Sequence, residues 1–169
     1  MHTVNSKFVG VGGQGVLLAS DLFARLLIAE GFDVKKSEIH GMAQRGGAVA
    51  SQVRFGRKVH SPVIADGEID YLISFDANEG RRNQLHLRRP ENVFWLSDPE
   101  MSSLTSAKTV NVALLAKFLR CFERPGALSE YTDFSVTREQ YTQLIRETTP
   151  PNFIGDNLRA VEVGYGACA

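Results

Sequence analysis

The stretch Phe8–Gly15, FVGVGGQG, runs directly into VLLASDLFARLLIAEG and sets most of what this chain can become. An apolar strand ends in a glycine turn, and an apolar helix begins at once. Gly10, Gly12 and Gly15 have the spacing GxGxxG, with a further glycine at Gly13 and Gln14 between. Glycine turns the backbone through positive φ and, lacking Cβ, lets another group come close. A β-branched residue at Gly12 is therefore expected to strain the turn. Amides at a helix N-terminus are unpaired, and the helix dipole there favours an anion. The turn has three readings: a tight structural corner, one wall of a ligand or partner interface, or the phosphate cradle of a bound NAD(P) or FAD. The last needs an acid about 20 residues on to hold a ribose. Glu38 is near that place, crowded by Lys35, Lys36 and His40.

Along the chain, Lys7–Val11 reads as a buried strand and Val16–Glu30 as a helix apolar on most of its circumference, stopped by Gly31. Such a helix packs against more than one surface, a core or a subunit interface. Phe32–Ile39 is expected as a second strand, parallel to the first through a right-handed crossover. Ala48–Phe55 alternates small apolar and polar residues, a strand with one wet face, and Val59–Ile64 is a further extended piece. Asp70–Phe75 and Asn92–Leu96 read as strands, Asn78–Leu87 as a helix, and Ser97–Thr109 as loop. Val110–Phe122 is helical. Thr137 with Gln140 forms a capping box opening a helix to Glu147, and Asn152 is placed to cap a last one. Gly164 and Gly166 then lead into a frayed end. These elements predict one α/β domain over residues 1–169: Rossmann-like, doubly wound, with a mostly parallel sheet in three layers.

Between the second and third strands lies His40-Gly41-Met42-Ala43-Gln44-Arg45-Gly46-Gly47. It joins a titratable ring and a guanidinium to three glycines, at the strand edge where open α/β sheets bind ligands. Arg45 suits a carboxylate or phosphate, because its planar fork binds such groups bidentately. His40 can donate or accept a proton near neutral pH. Arg81, Arg82, Arg88 and Arg89 form either an anion patch or, more simply, cations that complement a helix C-terminus.

Nineteen basic and nineteen acidic residues cancel, which argues against a nucleic-acid or membrane-surface protein. Two scattered cysteines, Cys121 and Cys168, are too few for an iron–sulfur or zinc site. The N-terminus lacks a signal-peptide pattern and no apolar run reaches membrane length, so a cytoplasmic location is expected. No metal site is expected, and no GxSxG, P-loop or HExxH motif occurs.

Two blocks taken together, GVGGQGVLLASDL and VKKSEIHGMAQRGGAVASQVRFG, resemble the gamma-type domain of the 2-oxoacid:ferredoxin oxidoreductases. HGMAQRGG is most similar to the small subunit of the indolepyruvate type. SPVIADGEIDYLISFDANEGRR and TPPNFIGDNLRAVEVG are similar to the family as well, so the match covers nearly the whole chain. The resemblance implies oxidative decarboxylation of a 2-oxoacid to an acyl-CoA with reduction of ferredoxin. Thiamine diphosphate, iron–sulfur clusters and CoA would be held through a large partner subunit, and this chain alone would be inactive. It also implies roles by position. Gly10, Gly12, Gly13, Gln14 and Gly15 would form the turn. Glu38, His40, Gly41, Met42, Arg45, Gly46 and Gly47 would face the partner or substrate. No residue of this chain is expected to be catalytic. Family members spend more residues between Asp98 and Val110, including a strand; here MSSLTSAKTVN bridges the gap. A homodimer in isolation, a self-sufficient dinucleotide enzyme and an orphaned binding module are the other readings.

Overall fold

A computed structural model describes residues 3–41, 46–120, 122 and 136–166. Strand β1 (Val4–Val11) runs into the glycine turn, followed by α1 (Val16–Ala29), β2 (Asp33–His40) and β3 (Ala48–Gly56). Then come β4 (Tyr71–Ser74), α2 (Ala77–Gln84), β5 (Val93–Phe94), α3 (Asp98–Ser102) and α4 (Val110–Arg120). Helices α5 (Arg138–Thr148) and α6 (Ile154–Gly166) finish the described chain, with 3-10 turns at Ala107–Thr109 and Pro151–Phe153. No described helix is long and apolar enough to cross a membrane. Cys121 and Cys168 lie outside the described residues.

The fold is α/β, with five strands in the order β2-β3-β1-β4-β5. The sheet is mixed, with β3 the one strand that runs against the other four. β1, β4 and β5 pair in parallel, while β3 is antiparallel to both β1 and β2. β2 therefore shares the direction of β1 without touching it. The reason is the length of the β2–β3 connection. Residues 41–47 can close a hairpin, whereas a parallel return needs a dozen residues or more. Once hairpinned to β2, β3 takes the place beside β1 that a crossover strand would have held.

Helices α1 and α4 lie on one face, with α5 and α6 packed against them. Their core is aromatic: Phe118 of α4 meets Phe23 at 5.2 Å, Phe94 at 5.0 Å and Phe122 at 4.8 Å between ring centroids. Eight of the fourteen α1 residues are buried, which accounts for its greasy circumference. Gly31, at φ 84°, ends it as expected. The capping box at Thr137 and Gln140 is present, each partner's side chain meeting the other's backbone N–H. Asn152 is not the α6 cap; it sits inside the 3-10 turn that leads into that helix. Gly164 is not part of a frayed tail either. It is buried within α6, where a Cβ would stand 2.2 Å from the Ala113 carbonyl oxygen and 2.5 Å from the Ala116 Cβ.

The other face is covered by the chain between β3 and β4 and by Leu87, which close over Val9 and Leu72. The polar residues of β3 are not wet, because they hold this cover down. Arg54 donates to the carbonyls of Ser61 (2.9 Å) and Val63 (2.8 Å), and the Gln52 Oε1 accepts from the Ile64 N–H (2.8 Å). Val59–Ile64 is thus irregular backbone tied to side chains rather than a strand. Asp70, buried, accepts from the Asn5 N–H (2.8 Å) and Arg88 (2.9 Å). Burial pushes its carboxyl above the usual range against those two attractions.

The close α4–α6 crossing gives a direct test. Gly164→Ala should cost about 1–3 kcal/mol in denaturant unfolding, since the new methyl meets backbone that cannot step aside.

Candidate functional site

The glycine turn stands where the sheet reverses its winding. From β1 the chain crosses to β2 and β3 on one side, and β4 and β5 lie on the other. Such a switch point opens a crevice at the C-terminal ends of the strands. Each glycine there has its own task. Gly10 makes room: a Cβ would meet the Gln14 Oε1 at 2.6 Å, the Phe75 Cβ at 2.8 Å and the Val16 Cγ2 at 2.9 Å. Positive φ falls at Gly13 (104°) and Gly15 (78°). Gly12 serves differently from the expected strain position, since its backbone continues the β1–β3 ladder. Its N–H donates to the Gly47 carbonyl (2.9 Å), and its carbonyl accepts from the Gly46 N–H (3.4 Å).

Those two bonds fasten the turn to Gly46 and Gly47, so the two glycine motifs meet in space. Gln14 braces it from below, its Oε1 accepting the Val11 N–H at 2.7 Å. Gly15 is the α1 N-cap; no side chain caps that helix and its first turn carries no acid. The buried Asn111 of α4 lies against Gly15, its Nδ2 2.6 Å from where a Cβ would be. Sequence reading passed over Asn111, whose polar position on a helix otherwise read as apolar was the available signal.

Of the loop residues, Gly41 and Gly46 are exposed and Gly47 is half-buried. His40 ends β2, opposite Val49. Met42 and Arg45 lie outside the described residues. Glu38 is exposed and pairs with Lys36 at 2.5 Å, and the same ammonium reaches Asp21 at 2.6 Å. Burial would lower the Lys36 pKa, but the two carboxylates outweigh it and raise it. The ribose-holding role needs an acid on the strand next to β1. Glu38 stands on the sheet edge with β3 between, so a dinucleotide on this turn would lack its ribose partner.

A cavity of about 590 Å3 lies at the C-terminal ends of β4 and β5, lined by Phe75, Asp76, Arg81, Trp95, Met101 and Leu114 among others. Trp95 is 55% exposed at its wall. The four arginines do not gather into one patch. Arg82 pairs with Glu79 (2.7 Å), Arg88 with Asp70, and Arg81 turns to this cavity. The Ser97–Thr109 stretch, expected as loop, contains α3, opened by a capping box between Ser97 and Glu100. Glu100 also takes Lys117 of α4 at 2.8 and 2.9 Å. Burial pushes its carboxyl up, but the bonds from Lys117 and Ser97 outweigh that and hold it below 4.5. No group of three or more His, Cys, Asp or Glu side chains able to hold a metal occurs among the described residues.

A mixed α/β domain with a glycine turn latched to a second glycine loop defines a recognisable class. The family model for pyruvate ferredoxin/flavodoxin oxidoreductase matches residues 5–167, and the chain belongs to that family. It is 29% identical to indolepyruvate oxidoreductase subunit IorB of Thermococcus kodakarensis, covering 99% of this chain and 96% of that one. The aligned stretch of 195 positions exceeds the 169 residues here, so that relative carries residues this chain lacks. The fold is similar to a keto/oxoacid ferredoxin oxidoreductase gamma subunit from Geobacter sulfurreducens (TM-score 0.69, 20% identity, 97% of each chain). It is also similar to a 2-oxoglutarate:ferredoxin oxidoreductase from Magnetococcus marinus, solved with 2-oxoglutarate, coenzyme A and succinyl-CoA (TM-score 0.76, 16% identity, 99% of this chain and 31% of that one).

Two outcomes follow. Gln14→Leu should leave the Val11 amide unpaired, cost about 1–2 kcal/mol in denaturant unfolding and speed amide hydrogen exchange at Gly12. Glu100 stabilises the fold above the ordinary glutamate pKa of 4.5, and that contribution is lost as pH falls through its lower folded value. Glu100→Gln should therefore cost about 0.5–1 kcal/mol at neutral pH, with the gap to wild type closing below pH 4.5.

Proposed function

We propose that this chain is the small, non-cofactor-bearing subunit of a 2-oxoacid:ferredoxin oxidoreductase of the indolepyruvate type. The observation that carries the reading is the latch between Gly12 and Gly46–Gly47, which joins the turn to the glycines that close the second motif at the crevice edge. Family membership over residues 5–167 supports it, as does the IorB relative that spans almost the same length. On this reading the whole chain acts as one gamma-type domain in the cytoplasm. A large partner subunit holds thiamine diphosphate and iron–sulfur clusters, which supply decarboxylation and electron transfer, and CoA takes the acyl group as ferredoxin takes the electrons.

The work left to this chain is steric and electrostatic. The rim Gly10–Gly15 and residues 38–47 pack on the partner at the reaction site, where Arg45 offers a bidentate grip on a carboxylate or phosphate. His40 offers a hydrogen bond that depends on pH near neutrality. Glu38, held by Lys36, fixes the end of β2 from which the loop springs. Gly41, Gly46 and Gly47, having no side chain, allow the close backbone approach that such a contact needs, and Met42 is proposed to face the partner with them.

Purification of the tagged chain from its own anaerobic lysate tests this reading. It should bring down a large iron–sulfur, thiamine-dependent chain, with viologen reduction driven by an aryl 2-oxoacid. Recovery of the chain alone, with no such activity, would contradict it. Arg45→Ala in the reconstituted complex should keep the circular dichroism of the chain and lower turnover about tenfold, the worth of one charge-assisted hydrogen bond. Unchanged turnover and unchanged assembly would return Arg45 to the ordinary surface.

A further inference from the structure

Helix α1 shows water one narrow stripe. Of its fourteen residues, Leu18, Asp21, Arg25 and Ile28 are exposed, joined only by Ala29 at the last position. Their spacing of three, four and three puts them on one side of the helix, in a seam about 15 Å long. It is the spacing of the contact positions where two helices pair. Both ends of the seam are large and apolar, Leu18 at 51% exposure and Ile28 at 60%. Two hollows open beside it on the α5 side, one of about 360 Å3 next to Leu18 and Phe153, the other of about 420 Å3 next to Leu26 and Ala29.

The middle of the seam is charged, one residue of each sign. Asp21 accepts from Lys36 through its Oδ1 at 2.6 Å and does not pair with Arg25, one turn further on. The Arg25 guanidinium makes no hydrogen bond or ion pair among the described residues. Read in opposite directions, the seam matches itself. When two copies of α1 lie antiparallel about a two-fold axis, Leu18 faces Ile28 of the second copy and Asp21 faces its Arg25. Such an interface is isologous, the same patch serving both subunits. A parallel pair would set Asp21 against Asp21 and Arg25 against Arg25, and like charges so placed repel. The charge order therefore selects the antiparallel arrangement, and a polar pair at the centre of a seam fixes its register.

We propose that α1 docks antiparallel on α1 of a second copy of this chain, with two Asp21–Arg25 pairs at the centre and Leu18 against Ile28 at each end. The hollows leave room for Leu18 and Ile28 of the second copy to settle beside Ala29 and Phe153 respectively. The contact gives Arg25 the carboxylate it lacks within the chain and takes both apolar ends out of water. It begins past the glycine turn, goes beyond the assignment to an oxidoreductase complex and does not depend on it.

Sedimentation equilibrium on the purified full chain tests the pairing by exchanging charges. Wild type should show a reversible monomer–dimer equilibrium. Asp21→Arg makes the seam doubly positive and Arg25→Asp makes it doubly negative, so each variant alone should dimerise at least about tenfold more weakly. Both positions are exposed and Lys36 keeps Glu38 as a partner, so the circular dichroism should match wild type. Mixed in equal amounts, the two variants should form a heterodimer, because every facing pair is again opposite in sign. The chain carrying both exchanges should recover the homodimer. A wild type that stays monomeric, single variants that dimerise as well as wild type, or a mixture that forms no heterodimer would each overturn the proposal.

Discussion

The hydrogen bond from the Gly12 amide to the Gly47 carbonyl is where the fold and the site meet. It is the last rung of the β1–β3 ladder, one step past the Val11–Ala48 pair. Without it, the turn after β1 and the loop after β2 would be two independent ends of chain. With it, they are held at a fixed separation set by strand pairing. The latch exists only because β3 returns antiparallel beside β1. An all-parallel sheet would have placed the start of β3 at the opposite edge. Beside the latch, Gly13, Gly15 and Gly46 hold positive φ, which suits glycine, and Gln14 and Asn111 lie against the turn from beneath.

The two faces of the sheet are built on different physics. One buries an aromatic cluster centred on Phe118 under α1 and α4, where area removed from water provides most of the stabilisation. The other is thin. It is held by polar side chains: Arg54, Gln52 and Asn5 bond the backbone of the irregular segment between β3 and β4, and Asp70 accepts from the Asn5 N–H of β1. Buried polar groups of this kind specify one arrangement, because a slipped register would leave each of them unpaired. The helical face is therefore the source of stability and the polar face the source of register.

Much of this was legible in the sequence. The glycine turn, α1 with its Gly31 stop and the Thr137–Gln140 box each rest on local chemistry, and each is where the residues indicated. The resemblance carried by the turn and the 40–47 loop pointed to the family that the chain belongs to. Strand order was not legible from the alternation in β3. Ser51, Gln52 and Arg54 read as a wet face because their partners lie outside the strand, at Ser61 to Ile64 among others. Gly164 read as the start of a tail because its contact, the Ala113 carbonyl, belongs to another helix. Asn111 was missed for the same reason. Polar residues whose purpose is tertiary carry no periodic signal, so they look like exceptions to a pattern until the fold shows what they touch.

On the proposed reading, the glycine turn together with residues 38–47 meets the catalytic partner. Hydrogen exchange measured on this chain alone and in the anaerobically isolated complex separates that reading from its rivals. Added protection should concentrate at Gly10–Gly15 and at residues 38–47, with the aromatic core around Phe118 unchanged. Protection confined to the outer surfaces of α5 and α6, with the rim exchanging as freely as in the isolated chain, would contradict it.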